Sequence, residues 1–175
     1  MAHSGFIADP EYARKSQNEI ITGKWEFQDS ITFDKVIRGT AIATYYADLA
    51  EYYEHDISEI LPTGTLVKFG GMKEITKTDS NGHSFFGIIS TKPGVILNTN
   101  DSEDFLPVAL CGKVPCRVTG IVKKFDKLTT SKIKGVAKRK TFIDALLGKP
   151  TIGVALENKS IKTEKLIEIF VKAQV

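Results

Sequence analysis

The residues best suited to chemistry lie together in Ala43 to Glu54, Ala-Thr-Tyr-Tyr-Ala-Asp-Leu-Ala-Glu-Tyr-Tyr-Glu. Asp48 and Glu51, with Glu54 close by, have the spacing of a carboxylate pair on one helix face. Crowding raises one pKa of such a pair, so that one group serves as acid and the other as base toward a water molecule. Held against a peptide bond, that water would cleave it. Asp48, Glu51 and Glu54 are therefore the catalytic candidates if the chain cuts itself. Acids three apart on an amphipathic helix are also common as solvated or ion-paired positions, and spacing alone favours that reading over an enzyme. His55 extends the acidic face toward a metal site, but Asp48, Glu51 and His55 would need a fourth ligand that the sequence does not identify. Neither a metal nor a cofactor is expected. No Gly-rich phosphate loop, Cys/His zinc spacing or Ser-containing nucleophile elbow is present.

The element expected to carry these acids is a short junction helix over 43–55. Thr44 could cap it, and Tyr46, Leu49, Ala50 and Tyr53 fall at i, i+3, i+4, i+7. Tyr45, Tyr46, Tyr52 and Tyr53 could present a carbohydrate-binding surface, although helical placement points Tyr46 and Tyr53 inward instead.

Around that segment the chain reads as mainly β, a compact barrel or sandwich of short strands with one or two short helices and an extended N-terminal arm. Residues 1–22 hold few large apolar groups in no sustained period, and Phe6, Ile7 and Tyr12 are the expected anchors of this arm on a partner chain. Residues 23–42 form a short β module in which Trp25 and Phe27, then Ile31 and Phe33, alternate with polar residues. An isolated pair of strands cannot hide four such side chains, so these are the expected oligomer contacts. From 43 to 175 a β domain follows. Leu66–Phe69, Glu74–Lys77, Phe85–Ser90, Val108–Gly112, Val114–Val118, Thr151–Leu156 and Leu166–Val171 read as strands between Gly, Pro, Asn and Asp turns. Within Lys138 to Pro150, Thr141 caps a helical apolar set that Gly148 stops.

Composition removes several classes. The chain has 175 residues, 42% hydrophobic and 26% charged, as in an ordinary globular protein with one core. No stretch is long and apolar enough for a membrane span, and the N-terminus lacks the features of a secretory leader, which makes cytoplasmic synthesis the expectation. The net charge of +3 comes from lysines scattered through Thr/Ser/Gly-rich turns between Lys123 and Lys149, so nucleic acid is not an expected partner. Cys111 and Cys116 are five apart in a strand-like run, on opposite faces, and are expected as small buried core residues rather than a disulfide or metal pair.

Taken in order, Thr44 to Glu54, Pro62-Thr63-Gly64-Thr65-Leu66-Val67, Gly87 to Gly94 and Pro107 to Gly120 resemble the C-terminal domain of phage tail-fibre and neck-appendage proteins. That family includes an autocleaving, intramolecular-chaperone form classed with the glutamic peptidases. The resemblance covers about residues 40 to 128, with weaker echoes at Ile152 to Glu157 and in the final strand. It implies a structural subunit of a virion, assembled in the host cytoplasm as a homotrimer and attached to another virion protein through residues 1–22. A short fibre, collar, baseplate or capsid-surface appendage fits best, because only about forty residues precede the domain. An autoproteolytic chaperone domain and a host-glycan receptor-binding tip are the alternatives. Lys138 to Pro150 departs from the family pattern as an insertion.

Overall fold

The computed structural model describes residues 47–172. The expected anchoring arm, the expected short β module and the first residues of the expected junction helix lie outside the described residues, and with them Phe6, Ile7, Tyr12, Trp25, Phe27, Ile31 and Phe33. No helix among the described residues is long and apolar enough to cross a membrane.

Among the described residues the architecture is mainly β, with ten strands and one five-residue helix. In chain order these are β1 (Asp48–Glu54), β2 (Leu66–Phe69), β3 (Ile75–Lys77), β4 (Gly87–Ile89), β5 (Val95–Leu97), β6 (Phe105–Thr119), β7 (Lys127–Thr130), β8 (Ala137–Arg139), α1 (Phe142–Leu146), β9 (Gly153–Ala155) and β10 (Lys165–Lys172). Five of the strands close into a barrel in the order β6-β8-β7-β9-β10, with β10 returning to β6. Closure removes the free edges that an open sheet would expose. The strong β-run at the C-terminus supplies the closing strand, pairing with β6 on one side and β9 on the other.

Period-two burial explains why these segments become strands. In β10, Ile167, Ile169 and Val171 point inward while Lys165, Glu168, Phe170 and Lys172 point out. Each such inward side chain contributes about 1.5–3 kcal/mol through burial. Val114, Cys116 and Val118 do the same from the neighbouring strand β6, and Leu128, Ile152 and Val122 add to the same core. A second, smaller core lies beside the barrel. There Leu61, Val67, Ile75, Phe86, Ile89 and Val108 pack together, with Tyr53, Leu106 and Leu110 against them.

β6 is the element common to both cores. Its first half pairs with β1 and β4, its second half with β10 and β8. The sequence suggests two strands broken at Lys113, yet one 15-residue strand runs through. Pro115 is accommodated opposite Glu168, because N–H groups in an antiparallel strand alternate in direction and those pointing away from the partner are dispensable.

The expected helix over 43–55 is corrected where it is described: Asp48–Glu54 is a strand, lying between β5 and β6. Tyrosine-rich sequence suits a pleated surface, and two flanking strands supply ladder partners that a short isolated helix lacks. Of the apolar positions that fit a helical period, Leu49 and Tyr53 also fit alternation, whereas Ala50 takes the other face, and here Ala50 is buried while Leu49 is partly exposed. The second helix, α1, forms as expected: Thr141 accepts from the Asp144 N–H, Asp144 reaches back to the Thr141 N–H, and Gly148 follows in the left-handed region. Cys116 is buried as anticipated, but Cys111 is exposed. Odd spacing puts them on opposite faces of β6, and only one of those faces is core.

Candidate functional site

Asp48 opens β1 and stands opposite Gly112 of β6. Gly112 has φ +115°, and a Cβ there would come within 2.8 Å of the Asp48 Cα, so glycine permits the two backbones to meet at this point. The Gly94 N–H donates to the Asp48 carbonyl at 2.8 Å and approaches its carboxylate Oδ1 at 3.3 Å. The other carboxylate oxygen, Oδ2, is buried and has no hydrogen-bond partner. Burial of an unpaired carboxylate oxygen is costly, more so than that of the Thr78 and Thr129 hydroxyls, which are also buried without a partner.

A cavity of about 340 Å³ opens beside it, lined by Asp48, Ser90, Lys92, Lys113, Pro115 and Glu168 among others. Ser90 is buried, while Lys113 and Glu168 are both about half exposed and lie 3.6 Å apart. Such a pair is worth little to stability, leaving the Lys113 ammonium free to turn toward an anion. These lining residues come from the end of β4, the loop after it, β6 and β10. Their convergence has no signal in local sequence, because it depends on β10 pairing with β6.

The strand conformation separates the three predicted carboxylates. Successive side chains of a strand point to opposite faces, so Asp48 and Glu51 diverge and stand about 10 Å apart along β1. Glu51 instead accepts the Tyr53 hydroxyl hydrogen at 2.7 Å. Burial together with that carboxylate pushes the Tyr53 phenol well above its usual range. Tyr53 is fixed further by edge-on packing against Phe86 and Phe69, with centroids 5.0 and 5.9 Å away. Glu54 lies at the far end of β1, paired with Lys73, while its N–H donates to Glu74 at 2.8 Å. His55 is buried with Nδ1 2.9 Å from the Asp104 carbonyl, an acceptor that fixes the proton on Nδ1. No three metal-ligating side chains cluster among the described residues. Tyr52 and Tyr53, adjacent on a strand, face opposite ways and form no common surface.

A second cluster gathers several of the lysines between Lys123 and Lys149 around one acid. Asp144 is buried and receives Lys138 Nζ at 2.7 and 2.9 Å, with Lys149 Nζ at 3.2 Å. Burial would raise its pKa; hydrogen bonds from Lys138, Thr141 and Lys149 outweigh this and hold the carboxyl far below the usual range. Lys140 Nζ donates to the Lys149 carbonyl at 2.6 Å and Thr151 at 2.9 Å. These lysines fasten α1 to the barrel.

The carboxylate-bearing strand falls within a match to a known family model. Residues 6–103 match Peptidase_G2, described as the IMC autoproteolytic cleavage domain, over more than half of the chain. The chain belongs to this family. The matched span takes in most of the segment read as arm and β module as well as β1 to β5, and stops just short of β6. The fold extends further. It is similar to the C-terminal fragment of bacteriophage phi29 gene product 12, with a TM-score of 0.54 and 18% identity, over 71% of this chain and 100% of that one. The pre-mature form of the same phi29 protein gives a TM-score of 0.60 at 16% identity, over 79% of this chain. This chain spans only 24% of that protein's length. No curated protein matches the chain. The resemblance drawn from the sequence to the C-terminal domain of phage appendage proteins therefore holds for family and fold.

Proposed function

We propose that the chain is a subunit of a phage particle, a short fibre, collar, baseplate or capsid-surface appendage, and that its barrel serves assembly. Residues 1–22 attach it to another virion protein, and copies of the chain associate as a homotrimer. Membership of the family and the likeness to a phage protein support the virion setting. The observation that carries the structural role over a protease acting within one chain is the position of Asp48 and Glu51 on opposite faces of β1. A single barrel holds no carboxylate pair on this strand to share one water.

Deleting residues 1–22 tests attachment: the truncated chain is expected to fold, remain soluble and fail to enter particles. Normal incorporation of the truncated chain would reject the anchoring role.

One observation favours autoprocessing as a second reading. The buried Asp48 Oδ2 has no partner and borders a cavity with Lys92 and Lys113. Glu168 of β10 lines the same cavity and is the second carboxylate available to it within one chain. Intact mass of the assembled protein separates the readings. One full-length species supports the structural role alone; two fragments in the wild type, absent in Asp48→Asn, support processing.

A further inference from the structure

Helix α1 is built inside out. Its buried residue is the acid Asp144, while Phe142 is 83%, Ile143 66% and Leu146 78% exposed, with Leu147 beyond them at 58%. Positions 142 and 146, and 143 and 147, are one helical turn apart, so the four side chains form one continuous apolar surface. The clamp of Asp144 by Lys138 and Lys149 keeps that surface turned outward. Isolated exposed apolar residues need no explanation, but a contiguous patch held in place by a buried ion cluster marks a contact site.

The charge around this patch is one-sided. Between residues 127 and 156 there are seven Lys and Arg and a single carboxylate, Asp144, which is buried. Lys132, Lys134 and Arg139 are exposed. Asn81 ties the turn that carries the first two to the end of the helix, accepting from Lys149 Nζ at 3.1 Å and donating its N–H to the Ser131 carbonyl at 2.6 Å. Asp79, near Lys134, is neutralised by Lys68.

A matching surface of opposite sign exists on the same chain. Just after β1 the loop holding Asp56 and Glu59 contains no Lys or Arg and exposes Ile57 at 71% and Ile60 at 79%. A cavity of about 300 Å³ lies here, bounded by Asp56, Ile57, Glu103 and Asp104. The cation at its rim, Lys73, is paired with Glu54.

We infer that these two surfaces bind each other between copies of the chain: the Phe142–Leu147 face with Arg139 of one copy docks on the Ile57–Ile60 loop with Asp56 and Glu103 of the next. Apolar contact supplies the attraction, and opposed charges set partner and register. The contact joins two different patches, so each copy uses both. Such a heterologous contact closes into a ring when its rotation divides the circle, as three copies related by a threefold axis would. The inference rests on the self-association proposed above and adds which surfaces carry it.

The test uses the full chain with the photoreactive p-benzoylphenylalanine in place of Phe142. Unlabelled and heavy-isotope chains are mixed, irradiated and digested, while light scattering gives the molar mass. The expected product joins position 142 to a peptide containing Ile57 or Ile60, with mixed isotopes showing that two chains are linked. Arg139→Glu should weaken association by about tenfold, and Asp56→Lys in the same chain should recover most of it. A multimer that cross-links elsewhere, or within one chain, overturns the contact and leaves self-association standing. A chain that stays monomeric at all concentrations overturns both. Sedimentation of that monomer with phosphatidylglycerol vesicles through Phe142 would make a lipid surface the occupant instead.

Discussion

Gly112 and Asp48 meet backbone to backbone where β6 passes β1, so closely that a Cβ on Gly112 would lie 2.8 Å from the Asp48 Cα. Everything distinctive about Asp48 depends on this approach: its burial, its Gly94 contacts and the cavity beside it. The same glycine turns β6 from the smaller core into the barrel with a φ of +115°.

Gly112→Ala is therefore expected to destabilise the domain, by about 1–3 kcal/mol from backbone conformation alone. Displacement of β1 should add to that loss. Chemical denaturation measures it. Unchanged stability would show that β1 can move aside at no cost.

Asp144→Ala leaves Lys149, almost wholly buried, without its counter-charge and removes the carboxylate half of the capping box of α1. Breaking one side of such a buried cluster costs about 3–5 kcal/mol. The Lys138 side chain is 29% exposed, which places the expectation at the lower end of that range. A denaturant midpoint equal to the wild type would refute the clamp.

The depressed pKa of Asp144 has a defined sign in stability against pH. A carboxyl whose folded pKa lies below its unfolded value contributes fully above the unfolded pKa, about 3.9, and loses that contribution as pH falls toward the folded value. Wild-type stability should therefore fall as pH drops below about 4, and Asp144→Asn should flatten part of that slope. Parallel acid profiles for the two proteins would contradict the linkage.

The two cysteines should differ sharply toward a thiol reagent. Cys111 is exposed; Cys116 is buried, and burial pushes its thiol pKa up. One thiol per native chain is expected to react quickly, and the second only on unfolding. Mass mapping of the first adduct to Cys116 would overturn the assignment of faces on β6.

Tyr53→Phe removes the hydroxyl that Glu51 accepts but keeps the ring against Phe69 and Phe86. The loss should be about 1 kcal/mol. Tyr53→Ala should cost several times more, because the ring supports the smaller core. Equal losses in the two variants would mean that the hydrogen bond, not the packing, holds this strand.

The sequence by itself determined the β class, the closing role of the last strand and the cap and stop of α1. Each rests on local signals: alternation in Leu166 to Val171, Thr141 with Asp144 three residues on, and Gly148. It also carried the order of motifs that marks the family. It could not tell a strand from a helix at Asp48 to Glu54, because Leu49 and Tyr53 satisfy both periods and Ala50 fits the helical one over so few residues. Pairing with β5 on one edge and β6 on the other settled that choice, and both partners lie far away in the chain. From this came the separation of Asp48 from Glu51, which a helix would have brought together. The inward turn of Asp144 is likewise tertiary. An apolar helical set normally faces a core, and here Lys138 and Lys149 make the acid the better buried residue, leaving Phe142 and Leu146 outside.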